Sequence, residues 1–99
     1  MNQTNINVLV VDNQALVRSG LRRLLDDVDG LCVVGEAEDG DAAIDLCRQL
    51  NPHVVLMDTQ VQGIGGLEAT RRIKRIDQDV GIVIVTLQVD DPVQPQFLE

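Results

Sequence analysis

Apolar residues along this chain fall into two kinds of pattern. Residues 7–11, 32–35, 54–57 and 82–85 form short, β-branched, continuous runs. Runs without alternation predict strands covered on both faces. Between them apolar residues recur every three or four positions: Leu16, Val17, Leu21, Leu24, Leu25 and Val28, then Ala42, Ala43, Leu46, Cys47 and Leu50, then Leu67, Thr70, Ile73 and Ile76. Each set predicts a helix with one apolar stripe and a charged remainder. Asp29-Gly30 and Asp39-Gly40 read as turns, and Pro52 as the stop to the second helix. Beyond Thr86, Asp91 and Pro92 fit the cap and first turn of a further helix.

The resulting order, βαβαβαβ, implies right-handed crossovers and a parallel sheet whose ligands sit at the carboxyl ends of the strands. Asp12, Asn13 and Gln14 follow the first strand, Asp58 the third and Thr86 the fourth, so all converge on one rim. Asp12 alone reads equally well as a group that satisfies the amides of the next helix. Asp58 is different, because it follows the buried run HVVLM without a pause. Two carboxylates in one pocket point to a divalent cation, Mg²⁺ above others, which takes a few oxygens and keeps its waters.

Composition narrows the picture. The 99 residues predict one domain, and with Phe97 as sole aromatic the core must be aliphatic. Sixteen acidic against eight basic residues leave a net charge of −8, which repels nucleic-acid backbones and anionic lipid. No run is long enough to span a membrane, and the polar start MNQTNIN lacks the regions of a signal peptide, so a cytoplasmic location is expected. Cys32 and Cys47 lack CxxC spacing and read as reduced thiols. His53 reads as a surface or hydrogen-bonded side chain, and Arg71, Arg72, Lys74 and Arg75 as the solvated face of the third helix.

The segments VLVVDNQALVRSGLRRLL, VVGEAEDGDAAI, PHVVLMDTQVQGIGGLEATRRI and VIVTLQVDDP resemble, in order and spacing, the receiver domain of bacterial response regulators, over essentially the whole chain. The pattern is similar to NarL/FixJ-type receivers and, within them, to GacA/UvrY-like regulators. The resemblance implies a flavodoxin-like (CheY-like) doubly wound α/β fold with strand order 2-1-3-4 and four of the five family strands. It implies that Asp58 accepts a phosphoryl group from a histidine kinase or phosphotransfer protein. Asp12, Asp58, the backbone carbonyl of Gln60 and the position of Asn13 would hold Mg²⁺, while Thr86 would hydrogen-bond the phosphoryl oxygens and act as the switch. Such a domain works in transcriptional regulation and is not an enzyme in the usual sense, although it catalyses its own phosphoryl transfer and dephosphorylation.

Four departures accompany the resemblance. Asn13 stands where the family has a second acid that ligates the metal, which predicts weakened Mg²⁺ binding. Gln14 replaces the usual His, and Val61–Gln62–Gly63 replaces Met-Pro-Gly. The family lysine that pairs with the phosphoryl group has no counterpart, and Lys74, on the third helix, does not substitute. The expectation is therefore a receiver truncated before the fifth strand and last helix, without the DNA-binding output domain. Its uncovered fourth-strand edge predicts a homodimer or an exchanged strand or helix. A degenerate receiver acting only by contact, independently of phosphorylation, is the alternative. Thr59 and Gln60 after Asp58 argue against a haloacid-dehalogenase-type phosphatase, the segment DNQALV lacks the glycines of a dinucleotide site, and GxGG at 63–66 reads as turn chemistry.

Overall fold

The computed structural model describes residues 5–58, 61 and 63–85. In chain order the elements are β1 (Ile6–Val11), α1 (Ala15–Asp26), β2 (Leu31–Ala37), α2 (Gly40–Leu50), β3 (Val54–Asp58), α3 (Gly66–Ile76) and β4 (Gly81–Val85). The strands form one sheet in the order β2-β1-β3-β4, and every pairing is parallel. Among the described residues no helix is long and apolar enough to cross a membrane.

The continuous apolar runs of β1 and β3 are explained by a core on each face of the sheet, whereas β4 leaves Val83 and Ile84 exposed. Leu9, Val11, Val55 and Met57 point toward α2 and α3, meeting Ala43, Ile44, Cys47, Ala69 and Ile73. Val8, Val10 and Val33 point the other way, toward Leu21 and Leu25 of α1. Burying each large aliphatic side chain contributes about 1.5–3 kcal/mol, so a core without aromatics is held by number of contacts. Where α2 starts against α3, a Cβ on Gly40 would lie 3.0 Å from Ile64 and 3.2 Å from Ala69, so a side chain there would require these neighbours to give by a few tenths of an ångström.

The helix pattern is corrected in α1. Leu16 and Leu24 are exposed at 84% and 68%, although their spacing places them in the apolar set, and Val28, at 48%, lies beyond the end of the helix. A helix lying on a sheet turns only about a third of its circumference inward, and on α1 that arc is occupied by Leu21 and Leu25. Leu67, at 72% exposure on α3, falls outside the buried arc for the same reason.

Asp39-Gly40 is likewise corrected from a turn to a helix start. The Asp39 carboxylate accepts the Ala42 N–H at 2.8 Å, satisfying one of the amides left open at the start of α2. At the other end, α2 stops at Asn51, which adopts a left-handed conformation with φ 48° just before Pro52. His53 has a structural role: its Nδ1 accepts the Asn7 N–H at 2.8 Å, and its main chain bonds both Asn7 and Gly81. The thiol of Cys47 is pushed up to about 11, chiefly by burial, and both cysteines are free.

Candidate functional site

Register alone brings the two carboxylates together. Val8, Val10 and Asp12 share one face of β1, and Val54, Leu56 and Asp58 share the same face of β3, because side chains alternate along a strand. Val11 pairs with Met57, so the next residues on each strand, Asp12 and Asp58, stand level on neighbouring chains. Their side chains interact directly at the carboxyl end of the sheet. Asp58 is itself the last residue of β3 and pairs with Val85 of β4.

Asp12 is the one buried polar or charged residue among those described, at 3% exposure. Its carboxylate Oδ1 accepts the Gln14 N–H at 2.8 Å, and its own N–H donates to the Ala37 carbonyl at 3.0 Å. Burial raises its pKa above the usual carboxylate value, and the adjacent Asp58 carboxyl raises it further. The Gln14 amide and the Arg18 charge oppose that shift without cancelling it.

A raised native pKa makes ionised Asp12 a cost to the fold. Its favourable contribution is fully present below the unfolded Asp value and is lost as pH rises through the raised native value. Asp12→Asn, which keeps an oxygen for the Gln14 amide, is therefore expected to stabilise the metal-free chain at neutral pH. Repulsion between unit charges at about 4 Å is about 1 kcal/mol even in bulk water, or roughly 4–8 °C in Tm for a domain of this size. The gain over wild type should vanish as pH falls through the raised pKa, which thermal unfolding at a series of pH values measures.

Asn13 and Gln14 are exposed on the turn into α1, and Gln14 occupies the N-cap position without a side-chain capping bond. Gln60 and Thr86 lie outside the described residues, as do Gln62, Asp91 and Pro92. The glycines at 63–66 are turn chemistry: Gly63 and Gly65 both adopt φ 85°, a conformation that L side chains rarely take, and Gly65 caps α3.

Two polar devices escaped the sequence pattern. Arg18 and Arg22 of α1 both reach Glu36 of β2, at 3.2 Å and 2.8 Å, and these bonds hold the Glu36 carboxyl below the usual range, Arg22 first. Arg18 also donates through Nη1 to the backbone carbonyl of Asp12 at 2.8 Å. The signal available was a single acid interrupting an otherwise apolar β2. Lys74 is not simply solvated: its Nζ donates to the carbonyls of Gln78 and Val80, closing the turn from α3 into β4.

The donor chemistry suits a hard divalent cation. Two carboxylates held against each other lose their repulsion when such an ion lies between them. Among the described residues no group of three or more His, Cys, Asp or Glu is arranged to hold a metal. Asn13, exposed on the turn that follows Asp12, carries an amide rather than a carboxylate.

A parallel sheet in the order 2-1-3-4, wrapped by helices on both faces and carrying paired carboxylates at its carboxyl rim, defines a receiver of the CheY-like type. The response regulator receiver domain family matches residues 8–99. Response regulator GacA of Pseudomonas protegens is 50% identical over 94 residues, covering 95% of this chain and 44% of the relative. Response regulator UvrY of Escherichia coli K12 is 48% identical over 94 residues, covering 95% and 43%. A LuxR-family two-component response regulator from Aurantimonas superposes with a TM-score of 0.81 at 39% identity, over 86% of this chain and 61% of the other. The chain belongs to the response regulator receiver domain family. It spans less than half the length of these curated relatives.

Proposed function

We propose that this chain receives a phosphoryl group on Asp58 from a histidine kinase or phosphotransfer protein and passes the signal toward transcriptional control. The observation that supports this most is the meeting of Asp12 and Asp58, 46 positions apart in the chain, at the carboxyl rim. Asp58 ends its strand, so its carboxylate lies at the lip of the sheet, while Asp12 is buried beside it. An oxygen of Asp58 bonds to the incoming phosphorus as the bond from phosphorus to the donor breaks, and the electron pair leaves with the donor. The product is a mixed anhydride.

Asp12 and Asp58 would hold Mg²⁺, with the amide oxygen of Asn13 and the backbone carbonyl of Gln60 as the further donors. When bound, that ion supplies positive charge to the equatorial phosphoryl oxygens, the main requirement of phosphoryl transfer besides positioning. Thr86, next after the strand residue that pairs with Asp58, is the hydroxyl donor assigned to those oxygens. The added charge then biases a surface between two states.

Incubation with acetyl phosphate and Mg²⁺, followed by intact mass, tests the reading. One phosphoryl increment is expected, absent when the metal is chelated before acetyl phosphate is added. A folded chain that never gains mass overturns it.

A second reading is favoured by Asn13 and by the missing three-acid group among the described residues. In it the chain acts by contact, without phosphorylation. Val83 and Ile84 of β4, at 47% and 50% exposure, offer apolar surface for a second copy or another receiver.

A further inference from the structure

We infer that Arg18 is a positioning residue for the acidic pair, fixing the main chain of Asp12 through a bridge to Glu36. This role rests on the phosphoacceptor reading above and adds to it a residue outside the carboxylate set.

The guanidinium is shared between two elements. Nη1 donates to the Asp12 carbonyl at 2.8 Å while Nε donates to Glu36 Oε1 at 3.2 Å. Glu36 is held in turn by Arg22 at 2.8 Å, so the acceptor is anchored from a second turn of α1. Arg18 is mostly buried, with 16% of its side chain exposed, and Glu36 has 28% exposed. Ion pairs in such partly desolvated places hold geometry better than those on open surface.

The bridge closes a ring around one residue. Asp12 is gripped at its N–H by Ala37 of β2, at its carbonyl by Arg18, and at its carboxylate by the Gln14 amide. Ala37 is the immediate neighbour of Glu36, so β2 holds the turn twice, once by backbone and once through the guanidinium. Three fixed points leave the Asp12 carboxylate little freedom to swing away from Asp58, although repulsion between the two acids favours that motion. Arg18 acts through this geometry, with its guanidinium paired to Glu36 and bonded to the Asp12 main chain rather than to the Asp12 carboxylate.

The planar guanidinium reaches the two acceptors from two different nitrogens held in fixed directions. An ammonium has to serve both from one atom on a flexible stem and holds the Asp12 carbonyl less firmly. Groups that orient a metal ligand typically change metal affinity ten- to a hundredfold when removed.

The test is binding of Mn²⁺ as a probe, followed by electron paramagnetic resonance of the free ion, because the chain has no Trp or Tyr to report by fluorescence. Arg18→Lys is expected to weaken Mn²⁺ binding about tenfold, with faster hydrogen exchange at the Gln14 amide in the metal-free protein. Glu36→Gln should shift both readouts the same way by less. Arg22→Lys disturbs the other ion pair of Glu36 without touching Asp12, and should weaken Mn²⁺ binding less than Glu36→Gln does. Wild-type affinity and wild-type Gln14 protection in Arg18→Lys overturn the role, as does an equal loss in Arg22→Lys, which would mark a general effect of docking α1. Either result leaves Asp58 labelling of the wild type intact. A wild-type chain that neither binds Mn²⁺ nor gains a phosphoryl group overturns the phosphoacceptor reading, and the role of Arg18 with it.

Discussion

Asp58→Asn is expected to take up no phosphoryl group from acetyl phosphate while remaining folded and becoming more stable. Loss of labelling by itself would also follow from unfolding, so the second half of this expectation separates chemistry from structure. Asp58 sits against buried Asp12, and its carboxyl is one of the causes that disfavour ionisation of Asp12. Asparagine keeps the shape of the side chain and removes one of the charges. The metal-free variant should therefore melt above wild type at neutral pH, by the few degrees expected of Asp12→Asn, while intact mass shows no increment. A variant that still gains one phosphoryl group would place the acceptor elsewhere. One that melts well below wild type would show that the Asp58 carboxylate holds the fold rather than straining it.

Asn13→Asp is expected to strengthen Mn²⁺ or Mg²⁺ binding by about thirtyfold and to speed labelling at Asp58. Asn13 is exposed beside the buried acid, so the electrostatic gain is screened by water. Even in bulk-water dielectric, one added negative charge at about 4 Å from a divalent ion contributes roughly 2 kcal/mol, or about thirtyfold in affinity. A third carboxylate also adds repulsion when no cation is present, so the same variant should melt lower in chelator and higher in excess Mg²⁺. That inversion links binding to folding and needs no activity assay. It also decides between the two readings of function. Restored labelling in Asn13→Asp, where wild type labels poorly, would show a receiver weakened at one ligand. Unchanged Mn²⁺ affinity would show that position 13 does not face the ion.

Much of this protein was legible before any coordinates. The four strand runs and three helical stripes lie within a residue or two of the observed elements. Asp58 stood out because a carboxylate directly after VVLM has no reason to be there if the strand is only packing. Periodicity marks which helix residues are apolar and not which arc the sheet covers, and so Leu16 and Leu24 looked like core and are exposed. Asp39 looked like part of a turn because Asp-Gly serves equally as a cap and helix start; the Ala42 amide decides between them.

The sequence by itself determined the order of elements, their parallel arrangement, and the rim to which Asp12 and Asp58 belong, because alternation and crossover handedness are local rules that each segment obeys on its own. Only the tertiary structure decided that the two acids share one face at one level, since register depends on how separate strands pair. It alone showed that burial and Asp58 together push Asp12 upward. It alone joined Arg18 to both Glu36 and the Asp12 carbonyl, because a side chain's partners across 18 and 6 positions are fixed by the packing of α1 on β1 and β2 and leave no periodic trace in the chain.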